Sequence, residues 1–163
     1  MIVLNHQAIE HKIQRLSIQV AEYKLGIDKL YIAGINNNGY NFARLLADAL
    51  DKLSKFEVEL IRIRLNPADP LSEEVTLSVP LDTLNNKHII IVDDVANTGR
   101  TLFYAAKPLM NILPASVEAA VLVDRTHKAF PISVEYVGLS LATTLKENID
   151  VDLDAEEMVV RLE

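Results

Sequence analysis

The 163-residue chain contains no cysteine, so it forms no disulfide and has no thiol chemistry. This absence fits a cytoplasmic protein. No apolar run reaches the ~18 residues that a membrane span requires. The first residues, MIVLNHQAIEHK, also lack the basic segment and the small-residue cleavage site of a signal peptide. We therefore expect a cytoplasmic protein with no membrane association.

Basic residues are scarce relative to acidic ones, with 16 Lys and Arg against 23 Asp and Glu and a net charge of −7. Such a chain is a poor candidate for binding nucleic acid through its whole surface, although it can still carry a local basic patch. Half of the residues are apolar, which is an ordinary globular composition. The length suits one domain with a real core, and the chain shows no internal repeat and no domain boundary.

Apolar residues recur at helical spacing in three parts of the chain. Residues 5–25 carry one apolar stripe, with Asn5 as the expected N-cap and Gly26 as the expected end of the helix. A second stripe covers residues 42–53. The third, Arg100–Leu113, contains Pro108, which is expected to interrupt the helix.

Five short apolar stretches predict the strands of a central sheet: 30–35, 56–65, 88–92, 117–123 and 133–138. Because they alternate with helices, we predict a parallel sheet flanked by helices. In the second strand the apolar phase slips at Leu60–Ile61, which predicts either a bulge or a change of environment.

Two other stretches are irregular in pattern. Residues 66–80 are the longest loop-like stretch, and loops of this length in compact domains are often lids or binding loops. Val75, Leu77 and Val79 within it could pair as a short hairpin. In residues 148–163, acidic residues alternate with apolar ones, which predicts one or two terminal strands.

The chemistry is concentrated in His88–Thr101, which reads HIIIVDDVANTGRT. A buried strand runs into Asp93 and Asp94, at the carboxyl end of a parallel strand, where such sheets bind ligands at a switch point in strand order. Gly99 permits a tight turn between the hydroxyls of Thr98 and Thr101. The helix that follows offers free N–H groups to a phosphate.

The two carboxylates would repel that phosphate, but they accept hydrogen bonds from ribose hydroxyls. They also suit a hydrated Mg²⁺ that is held by one or two carboxylates and by oxygens of the ligand. An Asp pair or a TGRT turn alone is more often a turn or a helix cap, whereas the full run is far more restrictive. Together the carboxylates, the turn and the helix start predict a pocket for a ribose 5-phosphate. Two better-known phosphate loops, GxxxxGK[ST] and GxGxxG, are absent.

IIIVDDVANTGRT resembles the phosphoribosyl-pyrophosphate (PRPP) signature of the type I phosphoribosyltransferases. More narrowly, the chain resembles the bifunctional pyrimidine-operon attenuator / uracil phosphoribosyltransferase family. The matching segments include IEHKIQRL, AGINNNGYNFARLLADAL and AVLVDRTHKAFPISVEYVGLSLATT. The last segment is the most diagnostic, because VLVDRxH…P…YVG is specific to this family rather than to the fold. The resemblance covers roughly residues 4–144 and the final VVRLE.

This resemblance implies a fold and an assembly. The fold is α/β, a single-domain type I phosphoribosyltransferase fold over residues 1–163, with a central parallel sheet of about five strands flanked by helices. A flexible lid loop would span about residues 64–79, and a small hood would be formed mainly by residues 124–163. The implied assembly is a homodimer or homotetramer.

The resemblance also implies roles for individual residues. Asp93 and Asp94 would bind the ribose hydroxyls of PRPP and the Mg²⁺ cofactor, and together with Arg125 they form the expected catalytic group. Arg125 and His127 would lie near the base. The residues expected under the pyrophosphate, after Ile35, are Asn36, Asn37, Asn38 and Gly39. Those expected around the 5-phosphate are Ala96, Asn97, Thr98, Gly99, Arg100 and Thr101.

The implied reaction transfers ribose 5-phosphate from PRPP to a nucleobase and releases pyrophosphate, and uracil is the expected base. This chain departs from its relatives in four places, the first of which is a longer and more acidic tail. Asn36–Asn38 replace a basic pyrophosphate loop, the lid lacks a Tyr-Arg-Asp-Asp-type segment, and Asn97 stands where relatives often have Tyr or, in purine enzymes, Asp. Two alternatives therefore remain: an RNA-binding regulator of pyrimidine genes, which the net charge disfavours, and a PRPP-binding protein with little or no catalytic activity.

Overall fold

The computed structural model describes residues 1–144 and 146–163. Within them, two short 3-10 helices, Leu81–Leu84 and Lys107–Asn111, accompany the longer elements. The helices are α1 (His6–Tyr23), α2 (Asn38–Asp51) and α3 (Arg100–Ala105). The strands are β1 (Ile2–Leu4), β2 (Lys29–Ile35), β3 (Glu57–Arg64), β4 (Thr76–Leu77), β5 (His88–Ala96), β6 (Ser116–Arg125), β7 (Tyr136–Leu141), β8 (Ile149–Asp152) and β9 (Val159–Leu162).

Six strands make the central sheet, in the order β4-β3-β2-β5-β6-β7. The five strands predicted from the sequence are parallel, and the two-residue β4 adds an antiparallel edge to β3. The predicted α/β fold with a mostly parallel sheet is therefore confirmed. Of the residues expected to pair as a short hairpin in 66–80, only Leu77 lies on a strand, and it pairs with Ile63 of β3 rather than within the stretch. The chain moves outward from β2 in one direction and from β5 in the other, so the switch point lies between these two strands.

The two faces of the sheet bury separate cores. α1 and α2 pack on one face, and α3 with the following 3-10 helix packs on the other. Val58 and Leu60 of β3 belong to the first core, while Ile61 and Ile63 belong to the second. Because β3 pairs with β2 without any register shift, there is no bulge at Leu60–Ile61. The slip in apolar phase is the change of environment, from one core to the other.

The predicted helix ends agree with the structure. The Asn5 side chain caps α1 by accepting a hydrogen bond from the Ala8 N–H at 2.9 Å, and the chain turns at Gly26 with φ of 89°. α3 ends at Ala105 and gives way to a 3-10 helix around Pro108, as the missing proline N–H requires.

β5 is longer than its prediction of residues 88–92. It pairs with β2 only as far as Gly34–Val92, but it stays paired with β6 to Ala96–Asp124. The strand continues because β6 continues beside it. Asp93 and Asp94 therefore lie just past the last residue of β5 that pairs with β2, on a part of the strand that is paired with β6 alone among the described strands.

A second, three-stranded sheet is formed by the two ends of the chain, in the order β1-β9-β8. β8 and β9 confirm the predicted terminal strands, whereas β1 was not predicted, since three residues are too few to show a period.

Residues 65–75 contain no helix or strand. Across the part of the chain that the structure describes, every helix is too short or too polar to cross a lipid bilayer.

Candidate functional site

Two adjoining cavities, of about 420 and 460 Å³, lie at the switch point between β2 and β5. Both are lined by Asp93, Val95, Asn97 and Thr101, so together they form one cleft. This is the position that the topology of an open parallel sheet assigns to a ligand.

Most of the predicted site residues line this cleft. The first cavity adds Ala96, Thr98, Gly99, Arg100, Leu102 and Phe130. The second adds Ile35, Asn36, Asn37, Asn38, Pro67, Asp94 and Ile149. Among the predicted site residues, Gly39 and Arg125 belong to neither lining. The side chains expected at the sugar, at the 5-phosphate and at the pyrophosphate thus face one continuous space.

The Asp93 and Asp94 carboxylates are held by the backbone that follows each of them. Asp93 Oδ1 accepts a hydrogen bond from the Asp94 N–H, and Asp94 Oδ1 accepts one from the Val95 N–H, both at 2.9 Å. Burial raises the pKa of Asp93 well above its ordinary value, and the neighbouring Asp94 charge raises the pKa further. Both residues also line the cleft, so the pair is accessible to a ligand.

These two carboxylates fit a magnesium ion that arrives with its substrate. Mg²⁺ prefers hard oxygen ligands and is often held by one or two carboxylates together with substrate oxygens. Within residues 1–144 and 146–163, no three His, Cys, Asp or Glu side chains are grouped so as to hold a metal by themselves. A purely protein-ligated ion therefore does not fit this site, whereas a shared one does.

The loop expected at the 5-phosphate, residues 96–101, turns at Gly99, which has φ of 87°. This left-handed conformation favours glycine, and a Cβ there would lie only 3.3 Å from Ile132 Cβ. α3 has six residues, so its dipole contributes less than a long helix would. Arg100 donates from Nη2 to the Pro67 carbonyl at 2.5 Å, which ties this loop to residues 65–75.

The segment of residues 128–130, which follows β6 and is called the clamp below, holds the same loop by hydrogen bonds. Lys128 Nζ donates to Asp124 Oδ1 at 2.6 Å and to the Asn97 carbonyl at 3.0 Å. The Ala129 and Phe130 N–H groups both donate to the Thr98 carbonyl, at 2.9 and 3.2 Å. The backbone of residues 97–98 is therefore fixed by three donors from one neighbouring segment.

Arg125 lies behind the cleft. Its guanidinium donates to Asn97 Oδ1 at 3.1 Å, to Thr143 Oγ1 at 2.7 Å and to the Thr144 carbonyl at 2.8 Å. His127 Nε2 lies 3.2 Å from the Thr143 carbonyl. The structure thus places Arg125 in contact with Asn97, so it reaches the cleft through that residue.

The loop after β2 is built around Asn36. This residue has φ of 52°, a conformation that asparagine tolerates. Its N–H donates to the Ile63 carbonyl at 2.8 Å, and its Oδ1 accepts from the Leu65 N–H at 3.1 Å, which ties the loop to the end of β3.

Asn37 and Asn38 are exposed to the cleft, and Asn37 makes no side-chain cap on α2. The first N–H groups of this 14-residue helix are therefore free for an anion.

Gly39 explains how α2 approaches the carboxylates. A Cβ at this position would lie 2.7 Å from the Val92 carbonyl oxygen and 3.1 Å from Asp93 Oδ1. Only glycine permits this approach, so the role of Gly39 is to bring the start of α2 beside Asp93.

Some lining and supporting residues had no predicted role. Phe130 and Ile149 lie far from the signature in sequence, and Pro67 belongs to the irregular loop. The only signal for Ile149 is the alternation of residues 148–153, which predicts a strand but not its neighbours. Two acceptors of Lys128, Asp124 Oδ1 and the Arg125 carbonyl, are local, but its contact with the cleft has no sequence signal, because the Asn97 carbonyl lies 31 residues away.

The fold and the cleft define a class of α/β protein that binds a phosphate-bearing and hydroxyl-bearing ligand at the carboxyl ends of its strands. Comparison with known proteins makes this specific. The family description "Phosphoribosyl transferase domain" matches residues 2–156, so the chain belongs to the phosphoribosyltransferase family.

Individual relatives cover nearly the whole chain. It is 31% identical to the bifunctional protein PyrR of Bacillus cereus (strain AH820) over 99% of this chain and 94% of the relative. It is 29% identical to PyrR of Pediococcus pentosaceus over 97% and 96%. The fold also matches a hypoxanthine phosphoribosyltransferase structure from Trypanosoma cruzi, with a TM-score of 0.77, 20% identity and coverage of 98% and 95%. A hypoxanthine-guanine phosphoribosyltransferase from Bacillus anthracis matches with a TM-score of 0.71 at 19% identity, covering 88% and 83%.

Proposed function

We propose that the protein transfers ribose 5-phosphate from PRPP to a nucleobase, with uracil as the preferred base and pyrophosphate as the second product. One observation carries this proposal above the others. The Asp93–Asp94 pair, the loop of residues 96–101 and the loop of residues 36–38 line one continuous cleft at the switch point. This arrangement supports the proposal because the Asp pair could receive the ribose, residues 96–101 the 5-phosphate and residues 36–38 the pyrophosphate.

Each part of the cleft has a proposed task. Asp93 and Asp94 accept hydrogen bonds from the ribose hydroxyls, and they would also hold a Mg²⁺ ion that comes with PRPP. The loop of residues 96–101 binds the 5-phosphate through backbone N–H groups and the hydroxyls of Thr98 and Thr101. When bound, the metal offsets the negative charge of the leaving pyrophosphate.

The reaction breaks the bond between C1 of the ribose and the pyrophosphate oxygen, which keeps the bonding electron pair. A ring nitrogen of the base forms the new bond to C1 and gives up its proton to solvent. No general base is assigned, because the N–H of a pyrimidine is already fairly acidic. The contribution of the protein is positioning and electrostatic stabilisation.

The pyrophosphate side lacks a positive side chain, since Asn36–Asn38 are neutral. The free N–H groups at the start of α2 and the Asn37 and Asn38 amides supply donors instead. They offset less charge than a lysine or arginine would. A slow enzyme is therefore the expected form of this activity.

Two further parts of the molecule fit the same proposal. Residues 64–79 would act as a lid, and the contact from Arg100 to Pro67 supports this by joining the loop to the 5-phosphate side. The sheet of β1, β8 and β9, together with the segment between β6 and β7, would act as the hood, whereas β7, which lies within the predicted range of 124–163, belongs to the central sheet. Ile149 of β8 supports this assignment because it lines the cleft.

The preference for uracil is supported by similarity to PyrR proteins over almost the full chain. An RNA-binding role has less support. The net charge of −7 disfavours it. Two of the few basic side chains near the cleft, Arg125 and Lys128, already donate hydrogen bonds to protein groups rather than facing a partner. Filter binding to a pyrimidine-operon leader RNA across salt concentrations would show a steep salt dependence if RNA were a partner.

The proposal is tested by incubating the protein with PRPP, Mg²⁺ and radiolabelled uracil, cytosine or hypoxanthine. We expect nucleotide from uracil in preference to the other two. Product only from hypoxanthine would keep the enzyme class and overturn the substrate. No product from any base, with PRPP still raising the melting temperature, would make the protein a PRPP-binding protein without turnover.

A further inference from the structure

A third cavity, of about 410 Å³, lies at the β3–β4 edge of the central sheet. Its walls come from β3, from β4 with the following Ser78, and from Tyr40 near the start of α2. It shares no lining residue with the two cavities of the cleft. The cavity is therefore a separate space, and its volume suits a small molecule.

Two arginines line this cavity. Because successive side chains of a strand point to opposite faces, Arg62 and Arg64 of β3 share the face that carries Leu60. Among the described residues that line the cavity, none is Asp or Glu. Glu59, on the opposite face of the same strand, pairs with Lys29 at 3.0 Å. The cavity is thus positively charged in a chain whose net charge is −7.

The Arg62 guanidinium is positioned without the use of its hydrogen-bond donors. Its Cζ lies 3.8 Å from the centre of the Tyr40 ring, which is a cation–π contact. Its Nε is buried and has no hydrogen-bond partner in the part of the chain that the structure describes. The side chain as a whole is only half-buried, so its Nη groups stay accessible from the cavity. A guanidinium that is partly removed from water and meets no carboxylate indicates an anion that arrives from outside.

The β4 side of the cavity adds hydroxyl groups. Ser78 Oγ accepts a hydrogen bond from the Arg62 backbone N–H at 2.8 Å, and the Ser78 N–H donates to the Arg62 carbonyl at 3.0 Å. These bonds fix Ser78 beside Arg62 and leave its O–H as a donor, since its oxygen already serves as the acceptor. Thr76 brings a second hydroxyl. Each arginine fork can bind two oxygens of one phosphate, so two forks suit two linked phosphate groups.

From this geometry we propose that the Arg62–Arg64 cavity is a second anion site, for a ligand that carries a diphosphate group. The inference goes beyond the proposed function, because it requires neither the cleft nor turnover. The two guanidinium groups bind the phosphates, and the Ser78 hydroxyl adds a donor. Leu60 and Leu77 line the rest of the cavity and can contact an organic part of the ligand. Two sources share this chemistry: free pyrophosphate and a nucleoside diphosphate.

The chain contains no tryptophan, so a single introduced one reports on this cavity alone. Tyr40→Trp keeps an aromatic face beside Arg62, and its fluorescence should change when an anion binds there. The titrants are inorganic pyrophosphate, UDP and inorganic phosphate at constant ionic strength. We expect both diphosphates to bind saturably and about tenfold tighter than phosphate, because they engage both arginines. Tighter binding of UDP than of pyrophosphate would assign a nucleoside diphosphate as the source, and otherwise the source is free pyrophosphate.

Variants in the Tyr40→Trp background locate the binding. Arg64→Met should weaken pyrophosphate binding by about tenfold, as for a lost charge-assisted hydrogen bond, and should fold normally because Arg64 is exposed. Lys55→Met removes the same charge from an exposed position before β3 and should stay within about twofold. Arg62→Lys keeps the charge but loses the fork, so affinity should fall by about threefold.

Three results would overturn the inference: fluorescence that does not respond to diphosphate at millimolar concentration, phosphate bound as tightly as pyrophosphate, or pyrophosphate binding that Arg64→Met leaves unchanged. If the fluorescence is silent and Arg64→Met also lowers the molar mass measured by light scattering, the arginines belong to an interface between copies of this chain. The readout requires neither PRPP nor product. Failure of the proposed function would therefore appear separately, as absence of nucleotide from every base.

Discussion

The two sides of the cleft are built in different ways. On the 5-phosphate side, the backbone at residues 97–98 is held by Lys128, Ala129 and Phe130, and the turn depends on a glycine with positive φ. On the expected pyrophosphate side, the loop is tied to β3 through Asn36, and its outer amides are neutral. The first side is organised before any ligand arrives, whereas the second has donors but no charge.

This difference separates binding from turnover. A fixed loop and an Asp pair can hold the ribose 5-phosphate half of PRPP without help from the other side. Stabilising a departing pyrophosphate needs positive charge, which is usually supplied by Arg, Lys or a metal ion. Under the proposed function, the molecule would combine a well-organised site for the sugar and 5-phosphate with a weak leaving-group site, and three variants test this contrast.

The largest effect is expected from Asp93→Asn with Asp94→Asn. The pair lies between the two sides, so its loss should remove the rise in melting temperature that PRPP and Mg²⁺ produce. Glu156→Gln with Glu157→Gln removes two exposed carboxylates elsewhere and should retain that rise. Undiminished protection in the Asp variant would refute the assigned role of the pair.

The same Asp variant should be more stable than wild type without ligand. Because the pKa of Asp93 is raised in the folded state, the folded protein binds more protons than the unfolded chain above the ordinary carboxyl pKa. The free energy of unfolding of wild type should therefore fall as pH rises through that range, and this fall should be smaller in the variant. Urea unfolding at several pH values measures both curves.

A smaller effect is expected from Gly99→Ala, which strains the organised side. A side chain at positive φ costs about 1–2 kcal/mol, and the added Cβ also crowds Ile132. We expect PRPP affinity to fall by about tenfold, in line with a misplaced phosphate loop. Gly26→Ala is the matched control, because Gly26 also has positive φ, of 89°, but has no atom within 4 Å of the new Cβ. It should lose stability without losing affinity.

The smallest effect is expected from Asn37→Lys, which adds charge to the side that lacks it. Pyrophosphate affinity should rise by about three- to tenfold at low salt and by less at high salt, because an exposed charge is screened. Asn111→Lys adds the same charge far from the cleft and should change nothing. A pyrophosphate affinity that does not respond to Asn37→Lys would mean that charge is not what distinguishes the two sides.

The order of elements and the ligand-binding stretch could be predicted because both depend on local pattern. The five parallel strands follow from short apolar runs between helical stripes, and the Asp pair with its TGRT turn marks a single strand-loop-helix. β5 was predicted four residues too short, since its extension depends on pairing with β6 and not on its own apolar residues. β1 escaped prediction because three residues form a strand only when β9 lies beside them.

What the sequence determines by itself is the fold class and the family, and it also supplies the candidate residues for the sugar and phosphate, since these depend on periodicity and on one contiguous run. Only the tertiary structure decides how the two sides differ. The clamp on residues 97–98, the bond between Arg125 and Asn97 and the entry of Ile149 into the cleft all join segments that are distant in the chain. Such contacts have no period to detect, because they arise only when the fold brings the ends of β5 and β6 in the central sheet together with β8 of the second sheet.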